Sequence, residues 1–312
     1  LNLSILGCLL IEAKNNSLFL RATNLDLGIE IKVPAKILKN GTIAVPSSVL
    51  QSVVSSTYGS NNIILETISD NLSVSTPQST TLIKAQEYED FPIIPLPQNG
   101  ESFLMETKNF IKGLRSVWFS ATPTTIKPEL ASVYVYIEDK KIYFVATDSF
   151  RLSESIIIPK NNPIFEPILI PIRNIPEILR TLEFIGPNEV KVVVSENQIS
   201  FTSDSVYLTS RLISGTYPDY HQIIPKEFTS EVVVLKQDLI NIFKKIQIFS
   251  NKFNQVALHV SQKKREFILT AQNSEVGETT EALQAAITGE DLDINFNYRY
   301  ITDVLQIIPN DS

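Results

Sequence analysis

Short apolar runs flanking brief polar turns recur along this chain at a fixed phase. Ile5–Ile11 and Leu18–Ala22 bracket Lys14-Asn15-Asn16, and Val133–Ile137 and Ile142–Ala146 bracket Glu138-Asp139-Lys140-Lys141. Val256–Val260 and Phe267–Ala271 bracket Gln262-Lys263-Lys264-Arg265. Apolar β-formers on both sides of a polar turn predict a hairpin, three times. Each hairpin ends in a related phrase: Arg21-Ala22-Thr23-Asn24-Leu25, Val145-Ala146-Thr147-Asp148-Ser149 and Thr270-Ala271-Gln272-Asn273-Ser274. Their spacing of about 125 residues marks one folding unit built three times.

The downstream pattern repeats as well. Ile43–Pro46 runs into an expected helix at Ser47–Val54, Ile168–Pro171 into one at Ile172–Leu182, and Ile294–Asn297 into one at Tyr298–Ile308. Proline is tolerated in a first helical turn because its missing N–H would have no intrahelical partner there. A second helix is expected twice, at Thr107–Ser120 and Lys236–Phe249. Phe110, Ile111, Leu114, Val117 and Trp118 form one apolar stripe, and Leu239, Phe243, Ile246 and Phe249 the other. Strand pairs are expected at Ile63–Glu66 with Leu72–Ser75 and at Val190–Val194 with Ile199–Thr202. Units one and two close alike, in Tyr88–Pro95 and Tyr217–Pro225. The expectation is an α+β chain of three similar domains, 1–98, 99–225 and 226–312. Unit one lacks the amphipathic helix and unit three the closing strands, so the first and last are expected to be incomplete and the chain clipped at both ends.

Composition narrows the class. The 312 residues are 43% apolar and 20% charged, with a net charge of −7, as in ordinary globular proteins. No apolar run reaches membrane-spanning length, so no membrane partner is expected. The single Cys8 cannot form an internal disulfide, which suits a reducing cytoplasm. Only His221 and His259 represent histidine, and 10 glycines include no phosphate-cradling loop. No metal-spaced cluster stands out, no cofactor is called for, and an enzyme finds little to work with. Asp148 and Asp219 are the one conceivable carboxylate pair.

A net negative charge disfavours nucleic acid only if the charge is evenly spread. Here Lys108, Lys112 and Arg115 recur at i, i+4 and i+7, opposite an apolar stripe. Arg173 and Arg180 lie seven apart, Lys236, Lys244 and Lys245 lie off a core face, and Arg299 opens the last helix. Acidic residues gather in connecting segments such as Glu87–Asp90 and Glu290–Asp293. Any single helix shows charge to water. Cations repeated on equivalent helices point instead to phosphate contact without base readout.

These features resemble the bacterial sliding clamp family, the β subunits of DNA polymerase III. The resemblance is carried by Ala146-Thr147-Asp148-Ser149-Phe150-Arg151-Leu152, Gly215-Thr216-Tyr217-Pro218-Asp219-Tyr220, Asn273-Ser274-Glu275 and Asn295-Phe296-Asn297-Tyr298-Arg299-Tyr300, across essentially the whole chain. It implies clamp domains with helices packed on antiparallel sheets, and a homodimeric ring around double-stranded DNA. It implies sequence-independent sliding, and the tethering of DNA polymerase and clamp-loader subunits through short linear peptides, without catalysis. The expected DNA-facing residues are Lys108, Lys112, Arg115, Lys127, Arg173 and Arg180.

The same resemblance implies a peptide cleft between domains two and three. It would use Leu130, Thr147, Ser149, Phe150, Arg151, Leu152, Pro218, Ile223, Asn297 and Tyr300. Apolar members would floor it and Arg151, Asn297 and Tyr300 would orient the ligand. By residue type alone, Leu130, Leu152 and Ile223 fit a core equally well, and Thr147-Asp148 and Pro218-Asp219 an ordinary turn. Phe150 stands where the family usually has histidine, and Gln222 where it often has a basic residue. A protomer contact is implied between Ile248 and Phe249 and the edge strand near Ile83, although Phe249 also fits a core. The competing reading is a repeat scaffold that binds proteins only, without DNA.

Overall fold

A computed structural model describes residues 3–57, 62–97, 100–123 and 126–310. The chain divides into two compact units, Leu1–Tyr217 and Pro218–Ser312.

The first unit is organised by one eight-stranded antiparallel sheet. Its strand order is Gly41–Pro46, Cys8–Lys14, Ser17–Thr23, Leu27–Pro34, Val206–Arg211, Gln198–Thr202, Glu189–Val194 and Glu101–Glu106. The middle seam pairs Ile29 with Leu208 and Ile31 with Val206, so a single ladder joins the first two repeats. A four-stranded sheet (Leu152–Ile157, Lys141–Thr147, Ser132–Glu138, Ile168–Pro171) and a three-stranded one (Ile64–Ile68, Asn71–Ser75, Thr80–Lys84) complete the strands. Among the described residues three α-helices accompany them: α1 (Ser47–Ser55), α2 (Thr107–Arg115) and α3 (Ile175–Ile185).

The expected hairpins are present. In the first two, Asn15 and Asn16 and Asp139 and Lys140 have positive φ, and so do Ser69 and Asp70 between Ile64–Ile68 and Asn71–Ser75. A two-residue type I′ turn requires this to match strand twist. The third hairpin turns over residues 262–265, with positive φ at Arg265. Asn and Asp accept this conformation more readily than most residues because the short side chain bonds locally.

The core of the second repeat is built on α2. Phe110 meets Phe144 of the four-stranded sheet edge-on at 5.3 Å and Phe201 of the eight-stranded sheet at 5.0 Å. Leu114 and Val117 join it, as do Ile175, Ile178 and Leu182 across α3. Gly113 permits this closeness, since a Cβ there would lie 2.4 Å from the Phe144 ring.

The second unit has α4 (Lys236–Phe249) and α5 (Tyr298–Leu305). They pack with a four-stranded sheet of Gly277–Leu283, Glu266–Asn273, Gln255–Ser261 and Leu292–Asn297, and with the pair Ser230–Val234 and Ala285–Gly289. Leu239, Phe243, Ile246, Val256, Leu269, Tyr298 and Leu305 form its core.

Four boundaries depart from expectation. Leu3–Gly7 is a 3-10 turn, so the first strand starts at Cys8 rather than Ile5. The helix expected to reach Ser120 stops at Arg115, and a 3-10 turn follows at Trp118–Ser120. There the Phe119 carbonyl accepts from Arg151 and the Ser120 hydroxyl pairs with Ser153, and these tertiary bonds outweigh helical continuation. Ile172–Asn174 is also a 3-10 turn; Pro176, not Pro171, stands in the first turn of α3. Finally, α5 ends at Leu305, short of Ile308.

Candidate functional site

The recurring phrase is a recurring turn. In the second copy the Thr147 hydroxyl donates to the Arg151 carbonyl at 2.6 Å and accepts from the Ser149 N–H at 3.1 Å. Asp148 Oδ1 accepts from the N–H groups of Phe150 and Arg151, both at 3.0 Å. In the first copy Thr23 bonds the Leu27 carbonyl and the Leu25 N–H, while Asn24 accepts from Asp26 and Leu27. Leu25 and Ser149 share a positive φ near 75°. In the third copy Asn273 keeps the bond to the i+2 N–H, from Glu275, and the positive φ moves to Gly277. Chemistry of this kind is what Thr-Asx sequences supply.

Asp148→Ala and Asn24→Ala should therefore both destabilise. Each loses two bonds to backbone N–H groups, at about 1 kcal/mol apiece, so each should lower stability by at least about 2 kcal/mol in urea titration. Asp148→Ala should cost more, because it also strips Arg151 Nε of its carboxylate partner. A loss at only one position would mean that the two turns are not equivalent.

The turn holds up the side chain at its tip. Phe150 is 83% exposed, whereas Thr147 is buried and Leu130 only 6% exposed. Leu130 and Thr147 thus belong to the framework, and their expected direct contact with a ligand is not supported by their burial. Arg151 is half-buried and committed: Nε donates to Asp148 at 3.1 Å, Nη2 to the Phe119 carbonyl at 2.6 Å, and its guanidinium lies 5.5 Å from the Phe119 ring centroid. It clasps the turn rather than reaching out. Ser149 is exposed and Leu152 half-buried.

In the second unit, Pro218 is exposed and Ile223 is 66% exposed. Asn297 caps α5, its side chain accepting from the Arg299 N–H at 3.0 Å, and Tyr300 is half-buried. Asp219 accepts from the Gln222 side chain at 2.8 Å and the His221 N–H at 3.2 Å. Gln222 and then the His221 N–H hold its carboxyl below the usual range. Asp148 and Asp219 are each spent on a local turn. Among the described residues, no group of three His, Cys, Asp or Glu gathers to hold a metal.

The cations expected to face DNA are all exposed, but most are not alone. Lys108 pairs with Glu106 at 3.3 Å, Arg173 with Asp26 at 3.1 Å, Arg180 with both oxygens of Glu177 at 2.9 and 3.0 Å, and Arg115 with Glu183. Among the described residues, Lys112 and Lys127 have no ion pair. Glu106 also takes Lys160 at 2.5 Å. Lys160 foremost, then Lys108, keeps its carboxyl below the ordinary range. The expected segregation of acids into loops is corrected accordingly: Glu177 and Glu183 sit on α3 itself. The Glu177–Arg180 spacing was readable as a helical pair. Nothing local marks Asp26 and Arg173 as partners.

Ile83 needs a similar correction. At 3% exposure it is core in the first repeat, and Leu82 is the exposed neighbour on its strand, Thr80–Lys84, an edge strand of the three-stranded sheet. The side chain of Ile83 is thus turned into its own repeat, and the exposed feature at this position is the strand edge. Ile248 is exposed and Phe249 half-buried against the α4 core.

A family described as DNA polymerase III beta subunit matches the chain in three consecutive pieces. Its N-terminal domain covers residues 2–95, its central domain 104–219 and its C-terminal domain 221–312. The beta sliding clamp of Synechococcus elongatus is 27% identical over 304 residues, spanning 95% of this chain and 80% of that protein. A sliding clamp from Bartonella birtlesii, solved bound to griselimycin, is 28% identical with a TM-score of 0.91, covering 100% of this chain and 84% of that one. The DNA polymerase III beta subunit of Thermotoga maritima shares the fold with a TM-score of 0.90 at 24% identity, over 98% of this chain and 83% of that one.

Proposed function

This chain belongs to the family of DNA polymerase III beta subunits, and from that we propose that it is a processivity factor for a DNA polymerase. Its domains, 1–98, 99–225 and 226–312, contribute to a homodimeric ring that encircles duplex DNA and slides without reading sequence. Support comes above all from the threefold repeat, matched in order by the three domains of one replication protein.

A closed ring need not bind tightly to stay on its template. Weak, salt-screened attraction to phosphates lets it move, while tethering raises the local concentration of the polymerase it carries. We assign phosphate contact to Lys108, Lys112, Arg115, Lys127, Arg173 and Arg180. Ile248, Phe249 and the strand edge carrying Ile83 are assigned to the protomer contact. The protein makes and breaks no bond, and its place is the cytoplasm.

For partner peptides, Phe150, Leu152, Pro218, Ile223 and Tyr300 supply the contact, while Thr147, Ser149, Arg151, Leu130 and Asn297 shape the backbone that presents it. Phe150→Ala should weaken a clamp-binding peptide about tenfold in isothermal titration, as expected for an aromatic anchor, and leave stability unchanged. Unaltered peptide affinity would remove Phe150 from the contact set.

The ring itself is tested by retention. After loading, the protein should stay on circular duplex through a salt wash and be lost when the circle is cut. A protein-only scaffold predicts no retention on either form.

A further inference from the structure

Four carboxylates lie against four of the six cations assigned to DNA. Glu183 meets Arg115, Glu177 meets Arg180 through both oxygens, Asp26 meets Arg173, and Glu106 meets Lys108. The pairs are solvated: side chains are 51% and 48% exposed for Arg115 and Glu183, and 74% and 49% for Arg180 and Glu177. Exposed pairs of this kind add little to folding. Buried support is also absent at Glu177, whose partner is three residues along the same helix.

We propose that these carboxylates are built-in competitors for the phosphate backbone, setting how weakly the protein holds DNA. This rests on the DNA-facing assignment above. A phosphate approaching Arg115 or Arg180 must displace a carboxylate already in place, so part of each phosphate contact is offset by a broken internal pair. The guanidinium is never stranded: it passes between two anions of similar geometry, both able to take its planar N–H groups. Exchange of that kind suits a protein that must leave each phosphate as readily as it meets the next. Two of the positions carry other structure as well. Asp26 sits where its backbone carbonyl accepts from the Arg211 N–H at 2.8 Å and from the Asn174 amide at 3.4 Å, and the Glu106 carboxylate precedes the first turn of α2 and is shared with Lys160. Glu177 and Glu183 are the cleaner probes.

The experiment uses the whole chain and a short labelled duplex, with binding followed by fluorescence anisotropy across about 50 to 200 mM salt. Glu177→Gln and Glu183→Gln keep the size of the side chain, remove its charge and replace one acceptor oxygen by an NH2 donor that cannot hold the guanidinium. Each is expected to tighten binding by about threefold or more at the lowest salt, and to steepen the slope of log affinity against log salt, by up to about 0.9 for each cation released. Glu196→Gln is the control for net charge, because Glu196 is exposed on a turn and outside any ion pair among the described residues. Tightening by Glu177→Gln and Glu183→Gln no greater than that of Glu196→Gln overturns the proposal. The double variant Lys112→Glu/Lys127→Glu separates the two levels of inference. If it weakens binding while the glutamine variants do nothing beyond the control, the DNA-facing assignment stands and the competitor role falls. If it leaves binding unchanged, the assignment itself falls, and the competitor role with it.

Discussion

Phe110→Ala is expected to cost about 3–5 kcal/mol of folding stability, the range for a fully buried phenylalanine cut to a methyl group. The side chain is 2% exposed and touches both layers of the second repeat, Phe144 on one sheet and Phe201 on the other. Its loss removes transferred apolar area and two edge-on ring contacts together. Collapse into the gap is resisted because α2 already rests on Phe144 at Gly113, where not even a Cβ fits. With folding free energies usually about 5–15 kcal/mol, the variant should show a clearly lowered urea midpoint. A loss below about 1.5 kcal/mol would mean that α2 does not bridge the two sheets.

Replacing Lys108, Lys112 and Arg115 together by glutamate should weaken duplex binding between roughly tenfold and a few hundredfold at about 0.1 M salt. A full phosphate contact carries about 0.9 of the salt slope. Lys112 supplies one, while Lys108 and Arg115 are offset by Glu106 and Glu183, so the slope should flatten by between about 0.9 and 2.7, before any repulsion from the new charges. All three side chains lie on the exposed side of α2, away from Phe110 and Leu114. The fold should therefore persist, at some local cost where Arg115→Glu would face Glu183. Salt-dependent anisotropy with a dichroism control reads both quantities. Undiminished binding with an intact fold would take α2 out of the DNA-facing surface.

Much of the candidate site was readable because its determinants are local. The Thr-Asx phrase at 23 and 147 dictates its own turn through side-chain bonds two to four residues away. Phe150 at the tip follows from that turn. The assignments that moved were those depending on neighbours far along the chain. Arg151 reads as an available cation until the Phe119 carbonyl, 32 residues earlier, is seen to hold it. Leu130 and Ile83 read equally as contact or core, and only packing resolves them. The exposed cations of α2, of α3 and of the turn before it were identifiable from helical periodicity, yet the partners of Arg115 and Arg173 lie 68 and 147 residues away.

The sequence by itself determined the threefold repeat, the hairpins with their polar turns, and the apolar stripes of α2 and α4, because these follow from side-chain periodicity and bonds spanning a few residues. Only the tertiary structure decided that Leu27–Pro34 pairs with Val206–Arg211, joining two repeats in one sheet, and that Asp26 meets Arg173 across that junction. A strand carries no label for its partner: alternation says which face is buried, while the choice of neighbour rests on the packing of residues about 180 positions apart.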